Sequence, residues 1–287
     1  MAKSYAVRYV NHAGAEYVLQ GDGLSFVDVS PLFSFSWSYG LANRLNGMGG
    51  RASSFARDPR TVSLTVRVRG FTREQFLERM NALHAVSDAD NLAEQPGRLY
   101  VGGQYMVCFL AVAADAPAAA RNGNYCTMPI TVLAERPFWC NEKTYTFNPS
   151  ADELEEDETG KKYNLRYPYR YGSGLAITNI KNTHYAACPA IITIYGPCAN
   201  PAVSIGNNIY NVDVTLAGSQ RLVIDGTENE IYTVGSDGTI TSVFNRRNKA
   251  YDIFKPVPVG ETNVLYSGEY LMTITLVEQR SQLKWTL

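Results

Sequence analysis

The chain has 287 residues, of which 45% are hydrophobic and 18% charged, and its formal net charge is −1 at pH 7. This length suits two ordinary domains, and the composition is that of a folded protein. Near-neutral charge argues against general nucleic-acid binding, which needs a basic surface to neutralise phosphates. No apolar run reaches the roughly 20 residues of a membrane span, and residues 1–10 lack the apolar core of a signal peptide. We therefore expect a protein that does not insert into membranes and is made and kept in the cytoplasm.

The first predicted strands are short. Tyr5–Val10 and Glu16–Leu19 have strand-like composition and precede a glycine turn at residues 21–23. From residue 33, aromatic residues alternate with serines, which is the period of a strand with one buried face. We predict a half-buried strand whose aromatic residues share one side: Phe33, Phe35, Trp37 and Tyr39.

Alternation stops in Leu41–Asp58, a segment rich in Gly, Asn, Ser and Arg. A loop of this length without secondary structure is uncommon inside a compact domain and is usually functional or disordered. Gly47, Gly49 and Ala52 fit the glycine pattern of a dinucleotide site, but neither a helix nor a βαβ unit follows, which argues against nucleotide binding. We predict instead an extended arm that becomes ordered against a neighbouring molecule.

Strict alternation resumes in Thr61–Arg69, where one face would lie on a core and the other would meet solvent or a partner. Thr72 then precedes Gln75 by three residues, which is the spacing of a capping box. Apolar residues recur at intervals of three and four, so we predict an amphipathic helix over 73–87. The predicted core-facing residues of the strand are Val62, Leu64, Val66 and Val68.

The arm and the outer face of the strand that follows it supply a candidate oligomer interface. Arginine and aromatic residues suit such a surface because they are enriched in protein–protein contacts. The candidate interface residues are Arg44, Arg51, Phe55, Arg57, Arg67 and Arg69.

The first domain is predicted to span 1–139. Gly97–Val101 and Gln104–Phe109 flank two glycines and form a predicted hairpin, Cys126–Leu133 is a further strand, and Pro137 ends the domain. Several antiparallel strands would therefore surround one helix.

Residues 140–174 differ in composition and are predicted to be a charged linker or extension. They contain the acidic run Asp152–Glu158 and the basic and aromatic run Lys161–Tyr171. The carboxylates lack the spacing of a calcium loop, so we favour a solvated segment. For the second run, use as an edge strand or interface is favoured over stacking on nucleic-acid bases.

The second domain is predicted to span 175–287 as a jelly-roll-like β-sandwich, since short strands and turns follow one another without a helical pattern. Pro189, Pro197 and Pro201 cannot donate to a ladder and should lie at strand ends or in turns. The predicted strands are 190–195, 202–205, 209–216, 221–224, 230–234, 239–244, 262–266 and 270–278.

No motif indicates catalysis, a metal or a cofactor. The five cysteines are odd in number and contain no CxxC pair, so we expect buried free thiols. His12, His84 and His184 share no ligand spacing with them. Motifs of serine hydrolases, zinc proteases and P-loop enzymes are absent from the sequence, and we expect a protein that is not an enzyme.

A series of short sequence segments resembles the distal tail proteins of long-tailed, non-contractile bacteriophages and their prophages. These segments occur in the same order as in the family and span most of the chain. They are Arg60–Val62 leading to Val68–Gly70 and a helix, Gly97–Val101, Glu135–Trp139, Ile177–Asn179, Pro189–Gly196 followed by Asn200–Pro201, Leu222–Asp225, and a late series of Gly260, Asn263 and Tyr266. Asn182, where relatives tend to have glycine, and the acidic run Asp152–Glu158 depart from the family pattern.

The resemblance implies a mainly β protein with two parts. The first would be a tail-tube-like β-sandwich or barrel with one helix, which assembles into a hexameric ring. The second would be a galectin-like β-sandwich projecting outward. Members of the family form the hub between the tail tube protein and the host-recognition device, and they contact a tail-associated lysin-like protein and receptor-binding or baseplate proteins. The expected location is therefore the virion tail tip, after assembly in the bacterial cytoplasm.

A carbohydrate-binding module for host glycans is the alternative from a different class. A sandwich with 19 tyrosines and 3 tryptophans has side chains that can stack on sugar rings. The galactoside motif H-x-N-x-R is absent from the second domain, however, and Trp285 has no matching Asn, Arg and Glu around it. The ring scaffold accounts for more of the sequence.

Overall fold

A computed structural model describes residues 6–21, 23–28, 30–34, 36–44, 47–112, 123–149 and 176–284. The chain forms two compact units: unit 1 is Met1–Asn141 with Gln279–Leu287, and unit 2 is Glu142–Glu278. The prediction of a mainly β protein is confirmed. The predicted second domain, 175–287, needs a correction at its end, since the chain returns to unit 1 after residue 278.

The described residues of unit 1 before its boundary at residue 141 form nine strands and two helices. They are β1 (Val7–Val10), β2 (Glu16–Val18), β3 (Leu24–Asp28), α1 (Ser30–Phe33), β4 (Ser38–Asn43), β5 (Gly50–Ala56), β6 (Arg60–Arg69), α2 (Arg73–Ala93), β7 (Gly97–Val101), β8 (Gln104–Val112) and β9 (Tyr125–Ala134).

The main sheet of unit 1 is antiparallel, and strand β8 joins its two parts. The first half of β8 pairs with β7, which continues to β1 and β2, and its second half pairs with β9, which continues to β6 and β3. Helix α2 contacts β8, β2 and β6 and so covers the inner face of this sheet. The predicted inward residues of β6, Val62, Leu64, Val66 and Val68, are all buried, which confirms that alternation.

Helix α2 begins where the sequence predicts and ends six residues later. Gln75 N–H donates to Thr72 Oγ1 over 3.3 Å, whereas the Gln75 side chain accepts from the backbone of Phe71 rather than of Thr72. The sequence prediction stops at residue 87 because the buried face of the helix becomes polar there. Ser87 Oγ donates to the Leu110 carbonyl, and Asp90 is fully buried. These two residues interrupt the apolar period from which the helix was predicted.

Asp90 joins the end of α2 to the first hairpin. Its carboxylate accepts hydrogen bonds from Tyr9 Oη over 2.5 Å and from the His12 backbone over 2.8 Å, and His12 Nδ1 lies 2.6 Å from it. Burial and the Asp90 carboxylate raise the pKa of Tyr9 above its ordinary value. His12 is therefore a structural residue of unit 1, as its place in a turn predicts.

The predicted aromatic strand from residue 33 is wrong in its first half. Residues 30–33 form the helical turn α1, with Pro31 near its start, where a proline suits a helix. Leu32 is the buried side chain of this turn, and Phe33 is only partly buried. Trp37 and Tyr39 are 47% and 59% exposed, and Phe35 lies outside the described residues.

The remaining strands belong mainly to unit 2, and the first and last of them contain its boundaries. They are β10 (Trp139–Phe147), β11 (Ala176–Asn182), β12 (Ala190–Tyr195), β13 (Cys198–Ala199), β14 (Ala202–Ile205), β15 (Asn208–Asn211), β16 (Thr215–Leu216), β17 (Arg221–Asp225), β18 (Glu230–Val234), β19 (Ile240–Ser242), β20 (Gly260–Tyr266) and β21 (Met272–Arg280), with a 3-10 helix at Phe244–Arg246.

Unit 2 is a β-sandwich. One sheet has the order β19-β18-β17-β12-β21, the other has the order β11-β20-β14-β15, and β13 pairs with β16. Side chains of both sheets form a single buried core, with Ile192, Leu222 and Ile274 from the first and Val203 and Val264 from the second. The predicted strand 209–216 is two strands, because Val212 leaves the ladder and pairs with Arg247.

The start of the predicted linker 140–174 is corrected by β10, which continues to Phe147. The acidic run Asp152–Glu158 and the run Lys161–Tyr171 lie outside the described residues. Asn182, which departs from the family pattern, is buried: its side-chain nitrogen donates to the carbonyls of Ala186 and Val257, both over 3.1 Å. An asparagine there closes the turn after β11.

All five cysteines are free thiols, of which Cys198 is partly exposed and the other four are buried. Pro189, Pro197 and Pro201 lie outside the strands that they flank, as predicted. No helix in the described parts of the chain is long and apolar enough to cross a membrane.

Candidate assembly surface

Strands β4 and β5 form a β-hairpin. β4 and β5 pair antiparallel, with Ser38 opposite Ala56 and Asn43 opposite Gly50. The prediction of an arm without secondary structure over Leu41–Asp58 is therefore wrong. Every residue of β5 is exposed, so neither strand has the buried face that would produce an alternating sequence.

The turn of this hairpin requires the glycines at positions 47 and 49. The N–H of Gly47 donates to the Arg44 carbonyl over 3.0 Å, and the N–H of Arg44 donates to the Gly49 carbonyl over 3.1 Å. Gly47 and Gly49 have φ angles of 72° and 74°, a region that L side chains rarely occupy. The pattern that formally fits a dinucleotide site is thus a turn pattern.

Large apolar side chains project from the hairpin into solvent. Tyr39 lies opposite Phe55 across the two strands, with their ring centroids 6.3 Å apart. An isolated two-stranded hairpin is marginally stable in water, and a cluster of exposed apolar side chains marks an interaction surface. The exposed fractions are 59% for Tyr39, 65% for Leu41, 79% for Met48 and 67% for Phe55.

Arg57 bonds the base of the hairpin to other parts of unit 1. Its Nη1 donates to the Pro137 carbonyl over 2.6 Å and its Nη2 to the Ser281 carbonyl over 3.0 Å. The guanidinium carbon also lies 4.9 Å from the ring centroid of Trp37 and 4.7 Å from that of Phe138. Arg57 therefore holds the hairpin in place, and of the predicted contact residues it has the clearest role inside the subunit.

A polar pocket of about 340 Å³ opens beside this anchor. Ser38 Oγ donates to the Asp58 carboxylate, and Arg60 Nη2 donates to the Pro31 carbonyl and to Ser34 Oγ. Burial lowers the pKa of Arg60 from its ordinary value. The pocket wall thus ties α1 and the start of β6 to the base of the hairpin.

Apart from Arg57, the predicted interface residues fall into two groups. Arg44, Arg51 and Phe55 lie on the exposed hairpin. Arg67 and Arg69 lie on the outer face of β6 at its far end. Since Arg69 lies nine positions after Arg60, about 30 Å of strand lies between the hairpin base and this second group.

Sequence reasoning missed two aromatic residues beside the second group. Tyr125 lies opposite Arg69 in the β6–β9 ladder and is 62% exposed. Phe71, immediately before α2, is 78% exposed, and its carbonyl accepts from the Asn124 side chain over 3.5 Å. Among the exposed apolar residues that the structure describes in unit 1, we distinguish two groups, which we call the hairpin cluster (Tyr39, Leu41, Met48 and Phe55) and the Phe71 cluster (Phe71 and Tyr125).

The fold is similar to solved structures from phages along the whole chain. Phage SPP1 Dit (gp 19.1), described as a paradigm of the hub adsorption apparatus in Gram-positive infecting phages, has a TM-score of 0.55 and 12% identity and covers 97% of this chain and 100% of its own. Chains of the phage P2 baseplate in its activated conformation give TM-scores of 0.59 with Ca and 0.60 with Sr, at 12% and 13% identity, over 97% and 98% of this chain and 99% and 100% of theirs.

The resemblance to phage distal tail proteins is therefore confirmed in fold, by structures whose sequences differ at almost nine positions in ten. No protein-family model and no curated protein sequence matches the chain.

Proposed function

We propose that this chain is a structural protein of a phage or prophage tail, the subunit of a distal tail hub that joins the tail tube to the baseplate or host-adsorption apparatus. The observation that carries the proposal is the anchored hairpin with its exposed apolar cluster, on a fold shared end to end with a phage hub protein and with baseplate chains. The role is structural and not enzymatic.

The copies would close into a hexameric ring through contacts between unlike faces. Such heterologous contacts need two different surfaces on each subunit. The hairpin cluster and the Phe71 cluster meet this need, since they lie at opposite ends of β6. The hairpin of one subunit would cover Phe71 and Tyr125 of the next, beside Arg67 and Arg69.

The ring would contact the tail tube protein on one side and a lysin-like hub protein on the other. Receptor-binding or baseplate proteins would attach to its outside, where unit 2 is proposed to be a galectin-like module. The protein would then be located at the virion tail tip after assembly in the bacterial cytoplasm. A stable contact between subunits needs roughly 1,000 Å² of buried surface.

Light scattering coupled to gel filtration, followed by negative-stain imaging, tests the proposal. We expect hollow rings with about six times the 31.7 kDa mass of one chain. Monomers that are retained on a column of host glycans would overturn it in favour of the carbohydrate-binding alternative. Monomers at every concentration and without glycan retention would overturn it as well.

A further inference from the structure

A long ordered loop lies on the surface of unit 2. Residues 247–259 connect the 3-10 helix to β20 without forming a strand, yet Ile253 and Val257 are buried. The N–H of Asn248 donates to the Asn211 carbonyl over 3.0 Å, and Tyr210 Oη donates to the Lys255 carbonyl over 2.5 Å. A loop of this length is usually functional, and these contacts hold it against β15.

Aromatic and cationic side chains cover this loop and the 3-10 helix before it. The guanidinium carbon of Arg247 lies 3.9 Å from the ring centroid of Phe244, which stacks on Phe254 with centroids 6.0 Å apart. Tyr251 is 41% exposed. We call this set the 244–255 surface: Phe244, Arg246, Arg247, Lys249, Tyr251, Phe254 and Lys255.

The 244–255 surface is positively charged although the whole chain has a net charge of −1. Arg246, Lys249 and Lys255 are exposed, and Arg247 is half-buried. Asp252 lies in the same segment and the Asp213 backbone N–H donates to the Arg246 carbonyl, so the four cations outnumber these two carboxylates. Among the described residues, no salt bridge involves Arg246, Lys249 or Lys255.

The complementary charge is present in the same sequence. Asp152–Glu158 contains six carboxylates in seven residues. The described chain stops at Pro149 and resumes at Ala176, and both ends lie beside one residue of β20. Tyr266 Oη donates to the Asn148 carbonyl over 2.7 Å, and Tyr266 lies opposite Ala176 in the β11–β20 ladder.

The distance from these ends to the 244–255 surface is short. β20 pairs with β14 and β14 with β15, so Tyr266 is two strands, about 10 Å, from the strand that bonds the loop. Residue 158 lies nine residues beyond Pro149, and nine extended residues span about 30 Å. The acidic run is therefore long enough to reach the strand that bonds the loop within one chain.

We propose that the 244–255 surface binds the acidic run Asp152–Glu158 of the same chain. The cations pair with the carboxylates, and Phe244 and Tyr251 offer an apolar contact to Leu154. This interaction lies within unit 2 and does not depend on whether the protein forms a ring.

Zero-length cross-linking of the full chain with a water-soluble carbodiimide, read by mass spectrometry, tests the proposal. We expect amide bonds between carboxylates of 152–158 and Lys249 or Lys255. Arg246→Glu keeps both lysines as reporters, and it should lower the cross-link yield about fivefold, the effect of turning one exposed attraction into a repulsion. Arg221→Glu, on β17, is the matched control and should leave the yield unchanged.

Two outcomes would overturn the proposal. Cross-links from the acidic run to Lys161 or Lys162 in place of Lys249 and Lys255 would show that the run pairs with its neighbour in sequence. In a sample assembled from equal amounts of nitrogen-15-labelled and unlabelled chains, cross-links that join the two isotopes would show that the run reaches another copy. Circular dichroism of both variants verifies that they are folded.

Discussion

Replacing Tyr39 and Phe55 by serine should weaken assembly through the hairpin cluster. Their exposed fractions are 59% and 67%. Since an aromatic side chain has about 200 Å² to bury, each ring offers roughly 120 Å² to a partner. At about 25 cal/mol per Å², burying both rings contributes roughly 6 kcal/mol. If a contact covers half of this area, the loss is about 3 kcal/mol, or about 150-fold in the association constant.

The assay is light scattering on a dilution series of the wild type and the Tyr39→Ser/Phe55→Ser variant. The double variant should remain monomeric at concentrations where the wild type assembles. Ile240→Ser/Val259→Ser is the matched control, because these unit 2 side chains are 67% and 54% exposed. A folded double variant that assembles at the same concentration as the wild type would refute the assignment of the hairpin as the contact.

Three further predictions concern the stability of unit 1. Arg57→Ala should lower the free energy of unfolding by about 2 kcal/mol, because two carbonyls lose a charged donor; urea titration measures this, and an unchanged midpoint would argue against the anchor. Gly97→Ala should cost about 1–3 kcal/mol, since its Cβ would lie 2.5 Å from both Asp90 Oδ2 and Tyr9 Oη; thermal unfolding that matches the wild type would contradict this crowding. Burial and Asp90 raise the pKa of Tyr9 above 10.0, so the stability it contributes is complete below pH 10 and falls at higher pH; Tyr9→Phe should make that fall shallower, and equal slopes would exclude Tyr9 as a cause.

The sequence predicts most accurately those strands that have one face buried on a core. β6 and β12 alternate because their inner side chains meet a core, and both were found within a residue of their predicted ends. The strands of the hairpin were missed for the opposite reason. Their side chains are exposed on both faces, so no period distinguishes them from a loop.

Other differences come from contacts between residues far apart in sequence. Helix α2 extends to Ala93 because Asp90 finds partners at Tyr9 and His12, about 80 positions earlier, which no local pattern can reveal. The sequence around Arg57 likewise gives no sign of its anchoring role, because its partners Pro137 and Ser281 lie far from it in the chain. The Phe71 cluster was missed because Tyr125 becomes its neighbour only through the β6–β9 pairing.

The return of the chain to unit 1 sets an order of events during synthesis. The ribosome makes the whole of unit 2 between Asn141 and Gln279, and the Ser281 carbonyl that receives Arg57 comes after it. At about 5–20 residues per second, this interval lasts roughly 7–28 s. A nascent chain interrupted within unit 2 thus has a hairpin with only one of its two carbonyl anchors. In the proposed ring, the hairpin would therefore have both of its anchors only after unit 2 has been translated.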